Sequence, residues 1–246
     1  LRGEAGADFL QGGAGNDLID GGTVTDLVNY NDGNSISYSD APAGIVMDLS
    51  GYTGSGSTGT GTVQDGTGGV DTLVAIGFIT GSPHNDSILG STANWFEIFE
   101  GGTGDDTIDG GVFAPGTSAT NRLAYTGANG PVTVDLRDGT ASGAAGNDTL
   151  FNIHHVNGSN YNDTIYGSDS TLVTEQLNGR DGADYLDGRG GLDMARLDAG
   201  PGGVTANLAT GLATDGYGKE DTLVGIEGLW GSNLADTLVG GNPASD

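Results

Sequence analysis

The stretch G-G-A-G-N-D-L-I-D, residues 12–20, decides the reading of the chain, because its frame recurs on both sides without a gap. GEAGADFLQ (3–11) precedes it and GGTVTDLVN (21–29) follows it. The same frame returns at 66–74, 81–89, 101–109, 143–151, 158–166, 179–187, 188–196, 216–224 and 231–239. Every window has Asp at its sixth place: Asp8, Asp17, Asp26, Asp71, Asp86, Asp106, Asp148, Asp163, Asp184, Asp193, Asp221 and Asp236. Two places later every window has an apolar residue, such as Leu10, Ile19, Val28, Leu73 or Ile108. Half of the seventh places are Thr, which suits an exposed strand face.

A nine-residue period with one buried residue predicts six residues of loop and three of strand, half a turn of a flattened coil. Strand side chains alternate, so the eighth residue points inward and its neighbours outward. Strands stacked about 4.8 Å apart turn those eighth residues into an aliphatic ladder. Gly at the first, second and fourth places is expected to supply backbone with φ > 0 along the loop. Helical apolar periodicity is not seen, and Gly at this density makes helices costly. The fold class is therefore all-β.

A longer period of roughly 75 residues is superimposed on the short one. Asp71-Thr72-Leu73, Asp148-Thr149-Leu150 and Asp221-Thr222-Leu223 open equivalent blocks. Each runs into a β-like segment (AIGFIT, NIHHVN, GIEGLW) and then a G-S-x-x-x-D nonapeptide. Upstream of each lies a pair of strand-like segments: ISYSD and GIVMDL, RLAYTG and PVTVDL, ARLDAG and GVTANL. The chain reads as one elongated coil, 1–246, of three tandem units at about 1–111, 112–191 and 192–246, the last cut short. TGSGSTGTGT (53–62) reads as a flexible loop and VFAPGTSAT (112–120) as an insertion. Leu1 falls within a repeat-like stretch, which reads as a boundary inside a longer protein.

Thirty-three acidic residues against 7 basic ones give a net charge of −26. Such a chain repels nucleic acid and anionic membrane surfaces, and it also opposes its own compaction. No apolar run approaches the ~18 residues needed to span a bilayer. With no Cys, disulfide scaffolds and thiolate metal sites are excluded. Stacking the loops piles the sixth-place carboxylates into a row of like charges. A hard divalent cation between adjacent loops removes that repulsion and gains carboxylate and carbonyl oxygens together. Calcium suits such a flexible oxygen cage better than magnesium, and transition metals would want imidazole or thiolate ligands.

The pattern G-G-x-G-x-D-x-U-x, best kept at 12–20 and 101–109, resembles the haemolysin-type, or repeats-in-toxin (RTX), calcium-binding repeat. The resemblance implies a right-handed parallel β-roll, a β-solenoid with several calcium ions between stacked loops, disordered without calcium and folded with it. It also implies type I secretion, and so a secreted, extracellular or cell-surface protein. In that family each ion lies between loops two nonapeptides apart. Loop 3–8 is thus expected to pair with 21–26, 81–86 with 101–106, and 158–163 with 179–184. The sixth-place aspartates would supply carboxylates. Carbonyls would come from the first and third places: Gly3, Ala5, Gly12, Ala14, Gly81, Pro83, Gly101, Thr103, Gly158, Asn160, Gly179 and Asp181. Glu97 and Glu175 stand at sixth places of loops two residues longer, where weak binding or none is expected. Arg180 and Arg189 replace the second Gly, and Val24 and Lys219 the fourth, where a side-chain cation can stand in for a metal.

The remaining motifs point to no catalysis. HExxH and GxSxG are absent, and His84, His154 and His155 read as surface residues. Asp48, Asp135 and Asn207 read as exposed or capping. Trp95, Phe96, Phe99 and Trp230 read as packing or protomer contacts at loop and strand edges. The expected function is a non-enzymatic, calcium-dependent structural module. One alternative is a self-associating segment of an adhesin, surface layer or filament that contacts copies of itself or other surface components. Another is the C-terminal region of a secreted hydrolase or polysaccharide-modifying enzyme.

Overall fold

The computed structural model describes residues 1–24, 33–53, 58–93, 95–112 and 121–241. Asp26, Val28 and the insertion at 113–120 lie outside the described residues. Among the described residues every regular element is a strand, mostly three to five residues long. They form a β-roll of stacked parallel sheets with no closed barrel. The chain packs as two compact units: Leu1–Leu123 with Gly146–Ile153, and Ala124–Ala145 with His154–Asp246.

In the first unit the chain alternates between two sheets. One holds Phe9–Leu10, Ser35–Ser37, Phe78–Thr80, Glu97–Glu100 and Asn121–Ala124 in parallel order. Its register aligns Leu10, Ile36, Ile79, Phe99 and Leu123. The other runs from Leu18–Asp20 to Gly146–Phe151 and aligns Ile19 with Leu73, then Met47, Ile88, Ile108 and Leu150. Nearly all these side chains are fully buried, as the eighth-place ladder requires.

The second unit repeats the plan. Val156, Leu177, Ala195 and Leu229 align across His155–Asn157, Thr174–Asn178, Leu192–Arg196 and Gly228–Trp230. Val134, Ile165, Leu186 and Leu223 align on the opposite sheet.

The stack is not parallel throughout. In the first unit Gly61–Gln64 runs antiparallel between Val46–Asp48 and Val70–Val74. In the second, Leu212–Thr214 does the same between Thr205–Asn207 and Glu220–Val224, and Thr140–Gly143 pairs antiparallel with Val132–Asp135. Each long repeat thus inserts a hairpin into one sheet only. The segment at 53–62, expected to be a loop, contributes part of the strand pair Tyr52–Thr53 and Thr58–Gly59 and the start of Gly61–Gln64. The upstream segments are strands as expected, ISYS and IVMD lying in opposite sheets.

Several apolar side chains read as edge residues belong to the core. Trp95, Phe96 and Phe99 are buried, and Trp95 meets Tyr52 edge-on with ring centroids 5.6 Å apart. Trp230 is exposed, with the Arg196 guanidinium 5.1 Å from its ring centroid. His155 is buried in its strand and so is not a surface residue, whereas His154 is half-buried, its pKa held below the ordinary value by that burial.

Candidate metal centre

The loop preceding each strand follows from its glycines. In loop 101–106 Gly102 and Gly104 have φ of 104° and 133°, and φ is also positive at the second and fourth places elsewhere: Gly13 and Gly15, Arg180 and Gly182, Arg189 and Gly191. Four of these glycines also sit against carbonyl oxygens of the preceding loop: Gly102 on Ser82, Gly104 on His84, Gly182 on Tyr161, Gly191 on Ser170. The first-place glycines of these loops do not have φ > 0, contrary to expectation. Gly101, Gly81, Gly158 and Gly179 are needed instead because a Cβ would collide with the carboxylate of their own loop's sixth-place Asp.

Stacking brings the sixth-place residues into two columns in each unit. Beside one sheet they are aspartates: Asp17 and Asp71, then Asp86, Asp106 and Asp148 in the first unit, and Asp163, Asp184 and Asp221 in the second. The backbone N–H of each donates to Oδ1 of the next, at 3.0 Å from Asp17 to Asp71, 2.8 Å from Asp86 to Asp106 and 3.0 Å from Asp106 to Asp148. The second unit repeats it, at 2.7 Å from Asp163 to Asp184 and 3.0 Å from Asp184 to Asp221. Beside the other sheet the same places are mixed: Asp8 donates to Asn34, and Asp193 to Glu227. Asn34 and Glu227 escaped the sequence reading because their loops lack the glycine frame.

The second carboxylate oxygen divides the loops into two kinds. In Gly-Ser loops it is satisfied locally. Ser82 donates its N–H and hydroxyl to Asp86 at 2.6 Å each, and Ser159 does the same for Asp163. The two long loops follow this rule with glutamate. Ser91 N–H and Trp95 Nε1 cap Glu97 at 2.9 and 3.1 Å, and Ser168 caps Glu175 through N–H and hydroxyl at 2.7 and 2.6 Å. By contrast, Oδ2 of Asp8, Asp17, Asp106 and Asp184 and both oxygens of Asp193 are buried without a hydrogen-bond partner.

An unpartnered buried carboxylate is costly in its charged form. Burial, reinforced by neighbouring carboxylates, pushes Asp106, Asp184 and Asp193 up to about 7 and Asp221 up to about 8. Two charges one strand spacing apart, about 4.8 Å, repel by about 3 kcal/mol at an effective dielectric of about 20. A cation therefore fits these seams. Among the described residues no three His, Cys, Asp or Glu side chains gather into a ligand group. The rest of any coordination shell must come from backbone carbonyls, which suits a hard oxygen-seeking ion.

Of the expected carbonyls, those of Gly101 and Gly179 lie against the first-place glycines of the loops before them. Pro83 O accepts the Thr103 hydroxyl at 3.2 Å, and loop 3–8 bridges to 21–24 through Ala5 and Thr23. Carbonyls of the second and fourth places, including Ser82, His84 and Tyr161, also line the seams and were not among the expected ligands. The asparagine Asn160 turns its side-chain oxygen to Arg180, 3.2 Å from both Nε and Nη2. Arg189 donates to both oxygens of Asp135, at 2.7 and 2.5 Å, and to the first-place carbonyl of Gly167 at 3.0 Å. Its positive charge also acts on Glu175. Arg189 thus occupies the seam between loops 167–175 and 188–193 with a covalently attached cation. Asp48 and Asn207 cap the backbone N–H two residues on, as expected, whereas Asp135 also anchors Arg189.

A family model of the RTX calcium-binding nonapeptide repeat matches the chain in four copies, at residues 1–34, 96–112, 155–171 and 174–200. Asp8, Asp17, Asp106, Asp184 and Asp193, the repeat aspartates with unpartnered oxygens, all fall inside matched segments. No curated protein matches the chain.

Proposed function

From the premise that this chain carries RTX calcium-binding nonapeptide repeats, we propose that it is a calcium-dependent structural module of a larger exported protein, acting outside the cell and without catalytic chemistry of its own. The observation that carries this reading is the set of buried Asp oxygens left without a partner between stacked loops. When bound, calcium supplies positive charge and a flexible shell of oxygen coordination. The sixth-place aspartates would hold it through Oδ2 while Oδ1 keeps its bond to the adjacent coil. First-, second- and fourth-place carbonyls would complete the shell.

In calcium-poor surroundings the carboxylates of a −26 chain repel one another and oppose closure of the coil. At roughly millimolar calcium, sites with dissociation constants of about 10⁻⁴–10⁻³ M fill, and binding to the folded state alone draws the equilibrium towards it. Export of an unfolded chain that folds on reaching calcium is the physiological use we assign to this coupling. Far-ultraviolet circular dichroism in calcium and in excess chelator tests it: strand signal should appear with the ion. A full strand signal in chelator would refute it.

A further inference from the structure

We infer that residues 34–100 of the first unit form a body that folds without calcium, on which the calcium-dependent coils to either side are built. Both sheets have an unbroken run within it. Ser35–Ser37, Phe78–Thr80 and Glu97–Glu100 are neighbours in one, and Val70–Val74, Gly61–Gln64, Val46–Asp48 and Ser87–Leu89 in the other. Among the described residues the buried aromatic side chains are Tyr38, Tyr52, Trp95, Phe96, Phe99 and Tyr125, and all but Tyr125 belong to this segment. Aromatic side chains bring the largest apolar areas into a core. A nonapeptide such as 101–109, by contrast, brings only Ile108.

The buried carboxylates of this segment are capped by the chain itself. Asp65 accepts the N–H groups of Thr67 and Gly69 at 2.8 and 2.9 Å, and its second oxygen takes the Thr67 hydroxyl at 2.8 Å. Asp71 Oδ2 accepts the Tyr38 hydroxyl at 2.9 Å. Asp86 is held by Ser82 and by the N–H of Ile45 at 2.7 Å, and Glu97 by Ser91 and Trp95. These four residues are at most 4 % exposed, yet none has a buried oxygen without a partner. The condition changes at the first coil on each side, where Asp17 and Asp106 both keep Oδ2 buried and unpartnered. The RTX family model divides the chain at nearly the same places, matching 1–34 and 96–112 and nothing between them. Unpartnered charged oxygens oppose closure of the flanking coils until a cation arrives, and the segment between them carries no such penalty.

Each side of this body also offers a template to the next coil. Asp71 Oδ1 accepts the N–H of Asp17 at 3.0 Å, and the N–H of Asp86 donates to Asp106 Oδ1 at 2.8 Å. Leu73 and Ile88 align with Ile19 and Ile108. Stacked repeats contact only their neighbours, so order propagates from a coil that is already formed. Calcium therefore extends the coil outward from residues 34–100.

This assignment rests on the calcium reading of the flanking aspartates, and the test keeps the two apart. Amide hydrogen exchange of the whole chain, read by mass spectrometry of peptides, would be followed in calcium and in excess chelator at neutral pH. In chelator, peptides from 61–74 and 78–89 should exchange about tenfold or more slowly than those from 3–20 and 101–109; in calcium all four should be protected. Tyr38→Phe leaves Asp71 Oδ2 buried without its donor and should remove the protection of 61–74 in chelator, whereas Asp106→Asn should leave it unchanged. Fast exchange throughout the parent chain in chelator would overturn the calcium-free body and leave the calcium sites standing, and parental protection in Tyr38→Phe would overturn the capping that sustains it. Equal protection of all four regions in chelator would overturn both this inference and the calcium reading.

Discussion

Asp106 donates its backbone N–H to Oδ1 of Asp148, 3.0 Å away, while its own Oδ2 is buried with no partner. Its Oδ1 accepts the N–H of Asp86. One side chain therefore does two separable jobs, joining adjacent coils through one oxygen and presenting the other to a cation.

Substitutions at this residue should separate the two. Asp106→Asn can keep the acceptor for Asp86 N–H but loses a charged ligand oxygen. It should fold in saturating calcium with the midpoint of its calcium titration raised several-fold. Asp106→Ala also leaves the Asp86 N–H unsatisfied, a further loss of about 1–3 kcal/mol. Denaturant unfolding in saturating calcium measures that difference.

The Gly-Ser loops should behave differently. Ser159→Ala removes the hydroxyl that donates to Asp163. The expected cost is about 1–3 kcal/mol in calcium-saturated stability, with the number of bound ions unchanged. A calcium count altered by this substitution would contradict the division of loops into self-capped and cation-seeking kinds.

Protons should partly replace calcium. Asp106, Asp184 and Asp193 are pushed up to about 7 and Asp221 up to about 8 in the folded, metal-free chain, against 3.8 ordinarily. Folded-state pKa values above unfolded ones contribute stability that is full below about 4 and lost as pH rises through about 7 to 8. In chelator, strand signal should therefore grow as pH falls from 8 to 5. Calcium affinity should weaken over the same interval, because proton and ion compete for one oxygen.

Arg189 should make its seam less dependent on calcium than the others. Its side chain and that of Asp135 are mostly buried, at 14 % and 18 % exposure. Arg189→Gln leaves Asp135 without its cation and should cost about 3 kcal/mol. The calcium concentration needed for half-folding should rise at the same time, and a calcium titration followed by circular dichroism reads that shift.

The coil was legible from the sequence because its two determinants are periodic. The sixth-place Asp and the eighth-place apolar residue fall where the ladders Ile88–Ile108–Leu150 and Ile165–Leu186–Leu223 require. The antiparallel inserts were not legible: GTVQ (61–64) sits in a Gly- and Thr-rich stretch and takes its strand from hairpin partners distant from the nonapeptide frame. The two columns were hidden because most recognised windows fall beside one sheet, whereas several loops beside the other, those of Asn34, Glu97, Glu175 and Glu227, carry no aspartate at the matching place. The Gly-Ser dipeptides were visible, but their meaning depends on Ser82 and Ser159 reaching a carboxylate four residues on, a relation of loop geometry. First-place glycines were assigned to φ > 0, which holds at Gly66 and Gly143, whereas at Gly81, Gly101, Gly158 and Gly179 crowding by the carboxylate of their own loop retains the glycine.

The most direct test is a crystal structure grown in calcium, with anomalous scattering used to place the ions. Calcium should lie about 2.3–2.6 Å from Oδ2 of Asp106 and of Asp184, with backbone carbonyls of stacked loops completing its shell. Well-ordered loops whose Asp106 and Asp184 carboxylates touch no ion at saturating calcium would contradict the account.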